Sequence, residues 1–152
     1  MSLAHGALLS VTKGEARDVG RVVVLDVGSC VMVGRAPDVS RQTGMITQIS
    51  LIRLDDEDHQ AVARHLQTRA PDTDAARPVF ASFDRADDVT LGDDAVSSRH
   101  AMVFCDEAGL TILDMGSTNG TFVNGDRIIS ADLAAGDLLR IGETRFAITP
   151  RR

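Results

Sequence analysis

The chain has 152 residues, of which 43% are hydrophobic, and this size suits one domain with a sizeable core. Its net charge of −6 and its 3% of aromatic residues argue against a nucleic-acid partner, because such proteins usually carry a basic surface or stacking aromatics. No apolar run is long enough to span a bilayer, and no secretory signal stands at the N-terminus. We therefore predict a cytoplasmic protein with no membrane partner.

Short β-like segments, rich in Val, Ile and Phe, recur along the chain with turn residues between them. We predict strands at 8–12, 20–25, 30–34, 79–83, 89–91, 101–105, 110–114, 121–123, 137–141 and 145–149. Asn124-Gly125 between apolar runs predicts a type I′ hairpin, because both residues tolerate a positive φ. From residue 87 onward, strands and turns alternate about every ten residues, as in a sandwich or barrel. The predicted fold class is an all-β sandwich.

Residues 55–70 interrupt the strand pattern and predict a helix. Acidic residues crowd its first turn, basic residues lie toward its end, and Pro71 stops it. The run 55–59, Asp-Asp-Glu-Asp-His, would point around the helix and not converge on one centre, so we interpret it as a solvated helix start. Residues 45–54, ahead of the helix, could form another strand.

The reactive residue types form no site typical of an enzyme. Cys30 and Cys105 lie in apolar segments without a CxxC spacing, which favours buried free thiols over a disulfide or a metal site. The four histidines form no metal-binding spacing, and no nucleophile elbow, P-loop or dinucleotide-binding motif is present. We therefore predict a non-enzymatic protein with no catalytic residues, no metal ion and no other cofactor.

Three polar clusters remain, each at the end of a predicted strand: Gly34-Arg35, residues 97–100 (Ser-Ser-Arg-His) and residues 117–121 (Ser-Thr-Asn-Gly-Thr). A phosphate dianion is bound well by a forked guanidinium, by hydroxyls and by backbone N–H groups. An Asn amide both donates and accepts hydrogen bonds, so it can hold an extended peptide backbone. Taken singly, each cluster is a weak signal, because Arg35 could be a surface strand end and the hydroxyl turns could be ordinary hairpins.

Together, in this order, the three clusters resemble the forkhead-associated (FHA) domain. The resemblance covers about residues 8–36 and 86–149 and leaves an insertion at about 37–85 within a single domain, 1–152. It implies an eleven-stranded sandwich of two sheets that binds phosphothreonine peptides through loops at one end. The implied partner is a phosphothreonine-containing protein, such as a Ser/Thr kinase or its substrate.

The same resemblance implies a set of phosphopeptide contacts: Arg35, Ser97, Ser98, Thr118 and Asn119. The first four would contact the phosphate, with Thr118 acting through its side chain or amide and Ser98 through its amide. Asn119 would hold the peptide main chain next to the phosphothreonine.

Other positions would support the site. By resemblance, His100 would order the loop from behind, while Gly34 and Gly120 would permit the backbone path. Arg99 would either add positive potential or simply lie on the surface. Ala95 matches a position that often meets the third residue after the phosphothreonine, where a methyl group reads no charge.

The insertion near 41–85 is longer than the FHA pattern leads one to expect. It could extend the sandwich with an extra strand and helix, fold over the binding face, or form a disordered loop. It also opens a second functional hypothesis, a phosphate-independent structural or oligomerisation module in which the insertion covers or replaces the peptide site. An enzyme site within the insertion is disfavoured, because no acid, base or nucleophile converges there.

Overall fold

The computed structural model describes residues 6–35, 60, 62, 64, 65, 85–97, 99–106 and 109–150. In this part of the chain eleven strands form two sheets, which confirms the predicted all-β sandwich. The strands are β1 (Ala7–Lys13), β2 (Val22–Leu25), β3 (Ser29–Arg35), β4 (Arg85–Leu91), β5 (Ala101–Asp106), β6 (Gly109–Asp114), β7 (Thr121–Val123), β8 (Asp126–Ile128), β9 (Ser130–Leu133), β10 (Leu138–Ile141) and β11 (Thr144–Pro150). One sheet has the order β2-β1-β11-β10-β7-β8 and the other β4-β3-β5-β6-β9.

The main core lies between the two sheets and is built from alternate residues of their strands. In β11, Phe146 and Ile148 are buried in this core, whereas Arg145 and Thr149 point outward and are exposed. This alternation follows from the two-residue period of a strand. Each large side chain buried in this way stabilises the fold by about 1.5–3 kcal/mol.

The five-stranded sheet is apolar on both of its faces. In β3, Val31 and Val33 belong to the main core, while Cys30 and Met32 face the opposite side and are also buried. A second buried cluster therefore covers the outer face of this sheet; its members are Cys30, Met32, Val62, Met102, Phe104 and Leu113. A sheet buried on both faces needs a further layer above it.

Part of the insertion supplies that layer. Gln60, Val62, Arg64 and His65 are helical, within the helix predicted at 55–70. Val62 is fully buried in the outer cluster, and the His65 ring lies 5.3 Å from the ring of Phe104. Val62 and His65 therefore shield part of the outer face of the sheet from water. The rest of the predicted helix and the strands predicted at 45–54 and 79–83 lie outside the described residues.

The strand prediction was incomplete for three strands. Strands β8 and β9 were missed, and β4 begins four residues earlier than the predicted 89–91. β8 and β9 are short and mostly exposed, and each lies at the edge of its sheet, so neither carries the apolar run that marks a buried strand. The predicted hairpin at Asn124-Gly125 is confirmed, since both residues have positive φ (51° and 91°) and Val123 pairs with Asp126 across the turn.

Strand directions place three connections at one end of the sandwich. β3 and β4 are parallel, with Arg35 beside Leu91, so both strands finish at the same end of the sandwich. β5 runs antiparallel to β3, and β6 antiparallel to β5. The β4–β5 loop (residues 92–100) and the β6–β7 turn (residues 115–120) therefore lie next to the end of β3.

Candidate functional site

The three polar clusters meet at this end of the sandwich. The Arg35 backbone N–H donates to the Ser97 carbonyl over 3.0 Å, and the Thr118 backbone N–H donates to Ser97 Oγ over 3.1 Å. These two bonds join the end of β3, the β4–β5 loop and the β6–β7 turn into one row. Arg35 is exposed, and within the described residues its guanidinium has no hydrogen-bond or ion-pair partner.

Ser97 is the centre of this row. Its carbonyl accepts from Arg35 and its Oγ accepts from Thr118, while its own N–H donates to Nδ1 of His100 over 3.0 Å. A serine hydroxyl also carries one proton to donate. In the described part of the chain that proton has no acceptor, so it is available to a ligand.

His100 holds the loop and the turn together from the interior. It is fully buried; its Nδ1 accepts from Ser97, and its Nε2 lies 2.9 Å from the carbonyl oxygen of Gly120. Because Nδ1 is an acceptor, Nε2 carries the ring proton and donates it to Gly120. The His100 backbone bonds Val33 through its N–H and Met115 through its carbonyl. Every polar group of this residue thus ties one part of the site to another.

The β6–β7 turn is organised by Asp114, which the sequence interpretation did not single out. Its Oδ1 accepts from the hydroxyls of Ser117 and Thr121, and its Oδ2 accepts from the backbone N–H groups of Gly116 and Ser117. Ser117 Oγ in turn accepts from the Gly120 N–H over 3.0 Å. An Asp two residues before a Gly-Ser pair is a recognisable signal for this kind of turn.

The tip of the turn, Thr118 and Asn119, remains exposed. Asn119 Nδ2 donates to the carbonyl of Ala95 over 2.7 Å, which ties the turn to the β4–β5 loop. An Asn amide has a second N–H and a carbonyl oxygen, so Asn119 keeps one donor and an acceptor for a ligand. The Thr118 amide is already bonded to Ser97, which leaves its hydroxyl as the group that can reach a ligand.

Asp93 forms the floor of the β4–β5 loop and is only 5% exposed. Its carboxylate accepts from the N–H groups of Ala95 and Glu143, both over 2.8 Å, and from the hydroxyl of Thr144 over 2.9 Å. Burial tends to raise the pKa of the Asp93 carboxyl, but these hydrogen bonds together outweigh it and lower the pKa below its ordinary 3.8. The loop is thereby fastened to the turn between β10 and β11.

The remaining predicted positions differ in backbone conformation and in exposure. Gly120 has a φ of +89°, a conformation that L side chains rarely adopt, so glycine is required there. Gly34 lies in regular strand, is paired with Thr90 and has no positive φ, so the backbone path does not demand glycine at this position. Arg99 is exposed, and Ser98 lies outside the described residues.

The described part of the chain could also contain a metal site, a membrane-spanning helix or a disulfide. It holds no group of three or more His, Cys, Asp or Glu side chains that could bind a metal ion. None of its helical residues belongs to a segment long and apolar enough to cross a membrane. Cys30 and Cys105 are buried thiols that form no disulfide, as predicted.

Comparison with known proteins agrees with this geometry. The family model described as "FHA domain" matches residues 83–142. The glycogen accumulation regulator GarA of Mycobacterium tuberculosis is 43% identical over 59 residues, which are 39% of this chain and 36% of that protein. The chain thus matches little more than a third of the length of this curated relative.

Solved structures share the fold at low sequence identity. The FHA domain of the CT664 protein from Chlamydia trachomatis has a TM-score of 0.57 at 21% identity, covering 97% of this chain and 99% of that one. Mycobacterium tuberculosis EmbR, solved in complex with a low-affinity phosphopeptide, has a TM-score of 0.51 at 19% identity, covering 95% of this chain and 24% of that one. Residues 83–142 thus match the FHA domain family, and the two described sheets have the fold of solved FHA domains.

Proposed function

We propose that this chain is a non-enzymatic phosphothreonine-binding module that mediates kinase-dependent protein–protein interaction. The observation that carries the proposal is the row Arg35–Ser97–Thr118, joined by two hydrogen bonds at the loop end of the sandwich. The three residues of this row carry an uncommitted guanidinium and two hydroxyl groups. A phosphate dianion is matched by this combination, because charge-assisted hydrogen bonds to it are roughly twice as strong as neutral ones.

Asn119 supports a peptide ligand over a free phosphate ion. It stands next to Thr118 at the exposed tip of the turn and retains one amide donor and its carbonyl oxygen. An extended peptide main chain offers the complementary carbonyl and N–H groups. We infer that Asn119 holds the residue next to the phosphothreonine, while the row holds the phosphate.

The supporting residues make the site rigid before any ligand binds. His100 fixes Ser97 and Gly120 from inside, Asp114 closes the β6–β7 turn, and Asp93 anchors the β4–β5 loop. Groups that are already ordered lose little entropy on binding, so more of each contact is retained as affinity. The partner that fits is a phosphothreonine-containing protein, either a Ser/Thr kinase or one of its substrates.

The relatives support the same class of activity. GarA is named as a regulator, and EmbR was solved with a phosphopeptide bound. Phosphate-dependent docking, without chemistry on the bound partner, is consistent with both descriptions.

The test is a calorimetric titration of the full chain against a phosphothreonine peptide library, with phosphoserine and unphosphorylated versions of each peptide. We expect selective binding of phosphothreonine peptides. Arg35→Ala should weaken it by about 1.5–3 kcal/mol, or roughly 10- to 150-fold, because a hydrogen-bonded charge is lost.

The matched control is Arg145→Ala, which removes the same charge from an exposed position of β11. It should leave the affinity nearly unchanged. Equal affinity for phosphorylated and unphosphorylated peptides would overturn the proposal and would instead favour the phosphate-independent interaction module.

A further inference from the structure

The β1–β2 loop (residues 14–21) is fastened to the end of β4, where the β4–β5 loop begins. Asp18 is 3% exposed; its Oδ2 accepts from the Gly92 N–H over 2.8 Å, and its Oδ1 accepts from Arg21 Nη1 over 3.0 Å. Arg21 Nη1 also donates to the Thr90 carbonyl over 2.7 Å. Both carboxylate oxygens of Asp18 are thus occupied by the bonds that hold the two loops together.

Arg17, one residue earlier, lies directly against Gly92. A Cβ atom added to Gly92 would stand 2.3 Å from both Nε and Nη2 of Arg17, so the guanidinium occupies space that only a glycine leaves open. Arg17 is exposed, and among the described residues its side chain has no hydrogen-bond or ion-pair partner. The adjacent Asp18 forms its ion pair with Arg21 and is not among the hydrogen-bond or ion-pair partners of Arg17 in the described residues.

This uncommitted guanidinium stands beside the proposed phosphate site. Arg35 pairs with Leu91 on the neighbouring strand, and Gly92 is the next residue. Since adjacent strands lie about 4.8 Å apart, the Arg17 guanidinium is on the order of 10 Å or less from the backbone of Arg35.

The strand order of the five-stranded sheet also sets the order of the site residues along this end of the sandwich. Arg17 lies over the end of the edge strand β4, Arg35 ends β3, Ser97 precedes β5, and Asn119 follows β6. Arg17 therefore flanks the phosphate site on the side opposite Asn119. An extended peptide advances about 3.3 Å per residue, so a distance of about 10 Å corresponds to roughly three residues.

We propose that Arg17 is a specificity-determining residue that binds an acidic side chain of the peptide within about three residues of the phosphothreonine. This rests on the proposed phosphothreonine binding and names an additional feature of the ligand that the site reads. A carboxylate matches the guanidinium in charge and in forked geometry. Because the side chain already lies against Gly92, little ordering is needed when the carboxylate arrives.

The experiment uses one phosphothreonine peptide with neutral flanking residues and a series in which a single Glu is moved through the four positions on each side. Affinities are measured for the wild-type chain, Arg17→Gln, Arg17→Lys and the charge-matched control Arg145→Gln. We expect one Glu position to raise wild-type affinity by about three- to tenfold, as a well-placed charge-assisted contact does. Arg17→Gln should abolish that gain, Arg17→Lys should keep part of it, and Arg145→Gln should keep all of it.

The position dependence separates a contact from a general effect of charge. Loss of long-range attraction would lower the affinity for every Glu peptide by a similar factor, whereas a contact is lost at one position only. If the wild type binds the phosphothreonine peptide but Arg17→Gln shows the same Glu profile, the inference about Arg17 is overturned and phosphothreonine binding stands. If no phosphothreonine peptide binds the wild type, both proposals fall together.

Discussion

Two turns of this molecule contain the same dipeptide in different surroundings. Asn119-Gly120 lies in the β6–β7 turn, and Asn124-Gly125 forms the hairpin between β7 and β8. The two glycines have nearly the same φ, 89° and 91°. The requirement at the glycine is therefore the same, but Asn124 also has a positive φ of 51°, whereas Asn119 does not. The two Asn side chains differ further in what they contact.

Asn124 directs its side chain into its own sheet. Its Nδ2 donates to Asp137 Oδ1 and its Oδ1 accepts from the Leu138 N–H, both over 3.0 Å. Its backbone N–H also donates to the Leu138 carbonyl over 2.8 Å. These bonds fasten the hairpin to the start of β10, so the amide of Asn124 is engaged in stability.

Asn119 makes a single side-chain bond, to Ala95 across the site, and the turn around it is held by other residues. Asp114 and Ser117 order the backbone, and His100 supports it from the interior. Because that support is provided elsewhere, Asn119 can keep hydrogen-bonding groups for a ligand. The comparison teaches that an Asn-Gly pair marks a turn, whereas its surroundings decide whether the turn belongs to a site.

The largest expected effect comes from replacing His100, which supports the β6–β7 turn from the interior. His100→Ala should lower the free energy of unfolding by about 3 kcal/mol, because it creates a cavity and leaves the Ser97 N–H and the Gly120 carbonyl without their partner. Urea denaturation of the wild type and the variant measures this difference. A loss below about 1 kcal/mol would show that the turn does not depend on His100.

The paired substitutions Asn119→Ala and Asn124→Ala test the comparison directly. Asn119→Ala should weaken phosphopeptide binding by about tenfold or more, because contacts to the peptide main chain are lost, and should change stability little. Asn124→Ala should cost about 1–2 kcal/mol of stability, since two bonds and a residue suited to positive φ are removed, with little change in affinity.

Each of these variants serves as the control for the other in calorimetric titration and urea denaturation. If both variants lost mainly stability, or both lost mainly affinity, the assignment of one Asn to a site and the other to the sheet would be wrong.

The smallest expected effect concerns pH and Asp93, the anchor of the β4–β5 loop. Because folding lowers the pKa of this carboxyl, its contribution to stability is present at pH values above the ordinary 3.8 and is lost as the pH falls through the lower folded-state pKa. Asp93→Asn should cost about 1 kcal/mol near neutral pH, where the ionised carboxylate is the better acceptor. The stability difference from wild type should then narrow as the pH falls below 3.8.

Urea denaturation at several pH values between neutral and 3 measures how the stability difference between the two proteins changes. Because the other carboxyl groups are the same in both proteins, their effects cancel in this difference. A difference that stays constant down to pH 3 would mean that the ionisation of Asp93 does not stabilise the loop.

Much of the fold was predictable because strand signals are local. The alternating and apolar runs of β1, β3, β5, β6 and β11 were recognised, as was the hairpin at Asn124-Gly125. β8 and β9 were missed because edge strands need little apolar surface and are stabilised by pairing with a neighbour. Strand pairing depends on two segments together, so the sequence of either segment alone does not reveal it.

The outer face of the five-stranded sheet gives a second example. Met102 and Phe104 alternate with Ala101 and Val103, so the sequence of β5 shows a continuous apolar run without saying what covers each face. The structure places Val62 of the insertion on the outer face. Shortening the insertion would therefore expose Met102 and Phe104, which makes point substitutions the better probes of the site.

The sequence by itself determined the sandwich, the turn residues and the order of Gly34-Arg35, Ser97 and Asn119 along the chain, because strand period, glycine conformations and motif order are encoded over a few residues. Only the tertiary structure decided that Ser97 joins Arg35 to Thr118, that Asp93 anchors the loop and that Arg17 lies on Gly92. Each of these contacts joins residues distant in the chain. Their partners are selected by strand pairing within a sheet and by packing of the two sheets, and no local pattern records that choice.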